Sequence, residues 1–399
     1  MRLSFGRQYL AIPGPSVTPD RVLNAMHRAS PNIYEGPLHD MVDTLYPDLL
    51  DVARTKGNVA VYIGNGHAAW EASLANLFSP GDKVLVLATG RFGEGWAAAA
   101  IGLGINAETA DYGRQSGVDI EHLSTRLKDD KAHEIKAVLT TQTDTATSIR
   151  TDIAALRAAL DDAGHPALLM VDCIASLGCD RFEMDALGVD VMIAASQKGL
   201  MTPPGLCFVW FNERADQLHQ TATLITPYWN WTPRTKGTIF FQKFDGTAPT
   251  QHLYGLREAL DMLLHEEGLE NAWDRHEVLA KSVWAAIDRW ADGGSMRMNV
   301  ADPSLRSHAV TSVSIDKPDG RRLRQWCEQQ GGVTLGIGLG METADDPSCE
   351  GFFRIAHMGH VNPHMTLGVL AVIDAGLKAL DIPHGTGALD AAASVIAKA

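Results

Sequence analysis

The chain has 399 residues, of which 45% are hydrophobic and 21% charged, a composition typical of soluble globular proteins. Its formal net charge of −14 argues against binding to a nucleic-acid phosphate backbone or to an anionic membrane surface. No apolar run reaches the roughly 20 residues needed to span a bilayer, so we expect neither nucleic acid nor membrane as a partner.

Short apolar runs recur in the first half of the chain. They predict strands at residues 59–63, 84–87, 137–140, 167–172, 189–194 and 206–210. Most of these runs are continuous rather than alternating, which is typical of strands buried on both faces. The segments between them, such as 153–163, carry apolar residues at helical spacing. This order predicts an α/β domain with a mostly parallel sheet and helices on both sides.

The pattern changes in the last third of the chain. Residues 252–292 are helical in pattern, and Gly268 interrupts them, so we place a domain joint near that glycine. Beyond it, apolar runs at 310–315 and 352–355 and a helical pattern at 321–330 predict a smaller α+β domain. The predicted organisation is an N-terminal arm (1–19), a large domain (20–266) and a small C-terminal domain (267–399).

Metal ligation and disulfide bonding find little support in the sequence. The five cysteines are scattered and odd in number, with no CxxC pair, which argues against a disulfide framework or zinc ribbon and favours a reducing cytoplasm. His357, His360 and His364 are close in sequence, but Gly359 and Pro363 prevent one helix face from presenting all three. We therefore expect no metal site.

Three features follow predicted strands. Gly64-Asn65-Gly66-His67 lies between a strand and a helix-forming run, where glycines let backbone N–H groups face an anion, although such a stretch can also be an ordinary turn. Asp172 ends a strand, where it can serve a ligand or cap a turn. Lys198, in Ser196-Gln197-Lys198, follows another strand and precedes Pro203-Pro204-Gly205; the alternative is an ordinary surface lysine.

Together the three features match the needs of pyridoxal 5′-phosphate. An anion cup takes the phosphate, an acid keeps the pyridine nitrogen protonated, and a lysine forms the Schiff base. These motifs, with Gly-x-Gly-His-x-x-x-Glu-Ala, Val-Asp-x-x-x-Ser-x-Gly and Ser-Gln-Lys-x-x-x-x-Pro-Pro-Gly in that order, resemble the class V aminotransferases of fold type I. The resemblance is greatest to the alanine–glyoxylate, serine–glyoxylate and serine–pyruvate branch, extends from Gly14 to Gly359, and implies a large domain with a seven-stranded, mostly parallel sheet beside a smaller C-terminal α+β domain.

The resemblance implies a role for each matching residue. Lys198 is the Schiff-base lysine and Asp172 the partner of the pyridine nitrogen. Residues implied around the cofactor are Asn65, Gly66, His67, Phe92 in the ring-stacking position, Thr145 and Gln197. Arg354 and Gly14 are implied in substrate binding, with the Arg354 guanidinium on the α-carboxylate. Thr247 matches a threonine that reaches the phosphate of the neighbouring subunit, which implies a homodimer with shared active sites.

The sequence also departs from the pattern of the family. Phe244 stands where a tyrosine is usual, Thr147-Ser148 replaces Thr-Gly, and Tyr34-Glu35-Gly36 replaces a His-Arg segment on the substrate side. Arg91 and Arg234 are further candidates for a second substrate anion.

We expect transamination of a small amino acid such as alanine or serine with glyoxylate or pyruvate. The alternatives are an aspartate–glyoxylate or other amine-specific transaminase of class V, a lyase such as a desulfurase using Cys349 or a kynureninase-like enzyme, and a catalytically silent protein that binds the cofactor.

Overall fold

The computed structural model describes residues 3–342, 346 and 349–399. The strands are β1 (Tyr9–Ala11), β2 (Asn58–Gly64), β3 (Lys83–Ala88), β4 (Asn106–Asp111), β5 (Ile135–Thr141), β6 (Leu168–Asp172), β7 (Val191–Ala195), β8 (Gly205–Phe211), β9 (Arg297–Met298), β10 (Val310–Ser314), β11 (Val333–Ile337) and β12 (Phe352–Ala356). The helices are α1 (Asp20–Met26), α2 (Pro37–Ala53), α3 (Gly66–Leu77), α4 (Arg91–Gly102), α5 (Ile120–Asp129), α6 (Ile153–Asp162), α7 (Glu213–His219), α8 (Trp231–Lys236), α9 (Thr250–Leu260), α10 (Leu269–Ala291), α11 (Asp319–Gln329), α12 (Pro363–Ala379) and α13 (Ala388–Ile396).

The larger sheet has seven strands in the order β2-β8-β7-β6-β5-β3-β4. Strands β3 to β7 are mutually parallel, and β8 is antiparallel to both of its neighbours. The prediction of a mostly parallel sheet is confirmed. Strand β4 was not predicted because its sequence, Asn-Ala-Glu-Thr-Ala-Asp, is polar; it forms the edge of the sheet, where only one side needs a partner strand.

The continuous apolar runs arise because this sheet is covered on both faces. In β2, Val59 and Val61 belong to one buried cluster while Ala60 and Tyr62 belong to the other. Successive side chains of a strand point to opposite faces, so a sheet with a core on each side needs an apolar residue at every position.

The smaller sheet has the strand order β1-β11-β12-β10-β9. Its β1 comes from the N-terminal arm and pairs in parallel with β11, which lies within the glycine-rich residues 331–340. Gly268, at φ +85°, separates the helical segment that begins with α9 from α10. The domain boundaries themselves stay predictions, and the arm contributes a strand to the smaller sheet.

The topology brings chain segments together at one end of the larger sheet. Asn65, Asp172 and Gln197 lie at or just beyond the carboxyl ends of β2, β6 and β7. In open α/β sheets this edge is where ligands bind. Among the described residues, no helix combines the length and apolar character needed to cross a membrane.

Candidate active site

A cavity of about 290 Å³ lies at the carboxyl end of the larger sheet. Nine of the residues singled out from the sequence line it: Gly14, Asn65, Gly66, His67, Phe92, Thr145, Asp172, Gln197 and Lys198. Residues far apart in the sequence, from the arm to the strand ends, therefore share one pocket, while Thr247 and Arg354 lie outside its lining.

Lys198 is 9% exposed, and its Nζ donates a hydrogen bond to the carbonyl oxygen of Pro13 in the N-terminal arm. Burial, with a further contribution from the charge of Arg354, lowers the pKa of Lys198 to about 8. Gly14 closes over the lysine at φ +118°, and a Cβ there would collide with Nζ. The arm is thus shaped around an amine that is partly neutral near physiological pH.

Asp172 ends β6 and is 3% exposed. Its Oδ1 accepts a hydrogen bond from the Ile174 backbone N–H, and its Oδ2 accepts one from the indole Nε1 of Trp70, both at 2.7 Å. Burial raises the pKa of Asp172 to about 7, although these two donors and the charge of Lys198 act in the opposite direction. One oxygen of Asp172 therefore caps a turn, which was one of the two roles predicted from the sequence. The side chain also lines the cavity, as the other role requires.

The anion cup is the start of α3. The side chain of Asn65 caps the helix by accepting the His67 backbone N–H at 3.1 Å, and the helix begins at Gly66. A Cβ on Gly66 would lie 2.5 Å from Cδ1 of Ile174, so a larger residue there would displace that side chain. The helix start supplies unpaired N–H groups and a partial positive charge, which suits a phosphate.

Phe92 lines the same cavity at the start of α4. Its backbone N–H and that of Gly93 donate to one oxygen of the buried Asp144, at 2.8 and 3.3 Å. The ring of Phe92 meets Trp70 edge to face, with centroids 6.3 Å apart. Asp144 therefore fixes the helix that carries the aromatic residue.

Arg354 lies on β12, behind the cavity wall. It is 5% exposed and donates to the carbonyl oxygens of Thr145 (2.8 Å) and Ile337 (2.6 Å). Within the part of the chain that the structure describes, no carboxylate pairs with its guanidinium at 4.0 Å or less. Burial lowers the pKa of Arg354 to about 10. A buried cation with only carbonyl partners can still accept an anion.

The other candidate cations are engaged within the chain. Arg234 is 1% exposed and donates to the carbonyls of Val61, Tyr228 and Lys243, so it serves as an internal brace rather than a free substrate ligand. Arg91 is exposed and pairs with Glu342 at 3.2 Å.

The segment around Thr247 lies outside the pocket. Thr247 itself is exposed and stands apart from the cavity of its own chain. Phe244 is 1% exposed and packs on Phe240 with ring centroids 5.6 Å apart. Lys243 pairs with Asp43 at 3.4 Å, so it already has a partner in its own chain.

His357 and Cys349 are each held by their surroundings in an unreactive state. Both ring nitrogens of His357 are engaged, with Thr311 Oγ1 and the His308 carbonyl, which leaves no nitrogen for a metal. Cys349 is 3% exposed, and burial raises the pKa of its thiol to about 11. A desulfurase needs a reactive thiolate, which this environment disfavours.

Sequence reasoning missed three residues that shape the pocket: Trp70, Asp144 and Pro13. Trp70 had a usable signal, because it follows Gly66 by four residues on α3 and so shares its helix face. Asp144 and Pro13 contact residues that are distant in sequence, Phe92 and Lys198, and no local sequence pattern predicts such contacts.

The residues present fit pyridoxal 5′-phosphate. The cavity holds a lysine with a lowered pKa, a buried carboxylate, an aromatic ring and a glycine at the start of a helix, packed against Ile174. The side-chain oxygen of Gln197 is buried and has no hydrogen-bond partner in the described residues, so the pocket retains an unsatisfied polar group that a polar ligand can pair.

Comparison with known proteins gives a consistent result. The family model described as "Aminotransferase class-V" matches residues 8–351. The chain is 33% identical to serine–glyoxylate aminotransferase of Arabidopsis thaliana over 391 residues, covering 98% of this chain and 95% of that one. It is 32% identical to L-aspartate–glyoxylate aminotransferase of Paracoccus denitrificans, covering 96% and 94%. The structure of pyridoxamine–pyruvate aminotransferase from Mesorhizobium loti superposes over all of both chains with a TM-score of 0.89 at 24% identity.

Proposed function

Because the chain belongs to the class V aminotransferase family, with pyridoxal 5′-phosphate as its cofactor, we propose that it transfers the amino group of alanine, serine or a similar small amino acid to glyoxylate or pyruvate. The observation that carries this proposal is the shared cavity of Lys198 and Asp172, with pKa values of about 8 and about 7. An amine with a pKa of about 8 can take up and release a proton near neutral pH, while the carboxylate lies in the same cavity.

Each pocket residue has a proposed part. Lys198 Nζ would remove the proton from the substrate α-carbon and return it to the cofactor carbon on the other side of the substrate nitrogen, two bonds away. The bound cofactor supplies the electron sink that makes this proton acidic. Asp172 would hold the ring nitrogen, the start of α3 would hold the phosphate, and Phe92 would flank the ring. Thr145 and Gln197 would supply the remaining polar contacts.

Arg354 is the proposed ligand of the substrate carboxylate. Amino acid and oxo acid carry the same carboxylate, so a single arginine serves both half-reactions. The absence of an acidic partner among the described residues supports this role, because burying an unneutralised charge is costly unless an anion joins it. Gly14 supports the site indirectly by giving Lys198 room.

We further propose that the sites are completed in a homodimer. The exposed Thr247 follows a surface segment in which Ile239 is 62% and Phe241 58% exposed. Ile63, two residues before Asn65, is 39% exposed, so apolar surface also borders the pocket. Apolar patches of this kind mark interfaces, and a second copy seated there would bring its own Thr247 to the neighbouring phosphate.

The amino donor is the finer part of the proposal. Relatives named for serine and for aspartate are almost equally similar to the chain, while both names share glyoxylate. Glyoxylate is therefore the acceptor we expect to work best. For the donor, one arginine beside the pocket, Arg354, is proposed to bind one carboxylate, which favours a monocarboxylate over aspartate.

The test is a panel of alanine, serine and aspartate against glyoxylate and pyruvate, with purified protein and added cofactor. We expect turnover that requires both an amino acid and an oxo acid, highest with glyoxylate. Turnover of an amino acid without any oxo acid would instead identify a lyase, and cofactor binding without turnover of any pair would identify a silent protein.

A further inference from the structure

Trp70 occupies a defined place between two helices and the pocket. It lies on α3, one turn after Gly66, and is 2% exposed. A Cβ on Gly95 of α4 would lie 3.0 Å from Cη2 and Cζ3 of the indole, so the six-membered ring fills the space beside α4. With that edge fixed against α4, the opposite edge of the indole carries Nε1 to Asp172.

The contact between Trp70 and Asp172 is a short buried hydrogen bond, which becomes charge-assisted when Asp172 is ionised. Nε1 donates to Oδ2 at 2.7 Å in a buried setting, while Oδ1 is held by the Ile174 N–H. An indole N–H is only a donor, so it stabilises the carboxylate and cannot accept a proton from the carboxylic acid. Both oxygens are thereby fixed in orientation.

We propose that Trp70 is a positioning residue that keeps Asp172 ionised and correctly oriented, so that the shared proton resides on the ring nitrogen of the cofactor. This inference rests on the proposed role of Asp172. Burial favours the neutral acid, and even with the Ile174 and Trp70 donors and the charge of Lys198 acting against it the pKa of Asp172 is raised to about 7, so the pocket needs donors that favour the anion.

The same side chain contacts both other parts of the cofactor site. Its ring meets His67 at 4.5 Å and Phe92 at 6.3 Å between centroids, each edge to face. Trp70 thus links the acid, the flanking ring and the phosphate end of the pocket. Experiments must therefore distinguish packing by the Trp70 ring from hydrogen bonding by its N–H.

Two substitutions make that separation. Trp70→Phe keeps an aromatic ring and removes the donor. Trp70→His removes the six-membered ring but retains a five-membered ring whose Nε2 is two bonds from Cγ, as Nε1 is in tryptophan. The readout is the ¹⁵N chemical shift of pyridoxal 5′-phosphate labelled at the ring nitrogen and bound to each protein, which reports where the proton resides.

We expect a protonated ring nitrogen in the wild type and in Trp70→His, and a shift towards the unprotonated value in Trp70→Phe. Cofactor affinity in Trp70→Phe should fall by about tenfold or more, the size of effect typical of a lost hydrogen bond to a charged group. The converse pattern, with Trp70→Phe unchanged and Trp70→His shifted, would assign Trp70 to packing and overturn the inference.

Two controls keep the outcomes distinct. Trp96→Phe removes another fully buried indole, whose Nε1 has no hydrogen-bond partner in the described residues, and should leave the shift unchanged. Asp172→Asn should shift the signal. If Asp172→Asn leaves it unchanged, the proposed role of Asp172 fails; if only Trp70→Phe leaves it unchanged, the inference about Trp70 fails while the role of Asp172 stands.

Discussion

The two sheets contribute to the site in different ways. The larger sheet supplies Lys198 and Asp172 from neighbouring strand ends, and their opposite charges partly offset the burial of each other. The smaller sheet supplies Arg354, which binds backbone carbonyls and, among the described residues, has no carboxylate within 4.0 Å of its guanidinium. We expect the larger sheet to bind the cofactor and the buried charge on the smaller sheet to bind an anion.

The largest effect should come from the larger sheet. Lys198→Ala should reduce turnover by roughly a thousand-fold or more, because a positioned acid–base group and the covalent anchor are lost together. Initial rates with the best donor and glyoxylate measure the loss, and circular dichroism checks the fold. Lys378→Ala, which removes an exposed lysine paired with Asp374 on α12, is the matched control and should keep full activity. Near-normal turnover in Lys198→Ala would show that Lys198 is not the catalytic lysine.

Arg354→Ala tests the smaller sheet. It should raise KM for amino acid and oxo acid alike by roughly 30-fold or more, the cost of leaving a buried carboxylate unpaired. Arg354→Lys keeps the charge but loses the planar fork, so it should recover only part of the affinity. Arg297→Ala is the control, since that arginine also binds backbone carbonyls but lies away from the pocket. Unchanged KM values would show that a cation other than Arg354 binds the substrate carboxylate.

The burial of Lys198 also predicts an effect on the stability of the folded protein. The folded state lowers the pKa of Lys198 from 10.5 to about 8, so it binds this proton less tightly than the unfolded chain does. The resulting penalty, on the order of 3 kcal/mol at most, is present in full below pH 8 and disappears as the pH rises towards 10.5. Cofactor-free Lys198→Met should therefore melt higher than wild type at pH 7, with a smaller gain at pH 9.5. A gain independent of pH would show that packing, not charge, is responsible.

The contrast between the sheets also explains what the sequence could predict. Asp172 ends an apolar run and Lys198 lies a few residues beyond another, so their place at the sheet edge is encoded locally. The polar edge strand β4 carries no such pattern, and the pairing of β1 with β11 joins residues more than 300 positions apart, for which one sequence offers no signal. The bond from Lys198 to Pro13 and the inward orientation of Phe244 depend on the same long-range packing.

A smaller effect is expected at the surface segment. Thr247→Ala should speed cofactor loss on dialysis by about tenfold, since one hydroxyl bond to a charged phosphate is removed in the dimer. Sedimentation measured alongside should show an unchanged oligomer, because Thr247 is a single small side chain. A fully active monomer, or a variant that retains cofactor as firmly as wild type, would contradict the shared-site proposal.

The smallest effect on the cofactor is expected at Phe244, where relatives usually have tyrosine. The side chain is 1% exposed and packs against Phe240 inside its own chain, so a hydroxyl added there would enter the core rather than approach a neighbouring phosphate. A buried hydroxyl without a partner costs roughly 1–3 kcal/mol. Phe244→Tyr should therefore lower the melting temperature while leaving cofactor loss on dialysis within about twofold of wild type. Slower cofactor loss, with no fall in melting temperature, would show that this segment turns outward in the dimer and that the missing tyrosine is a functional difference between this chain and its relatives.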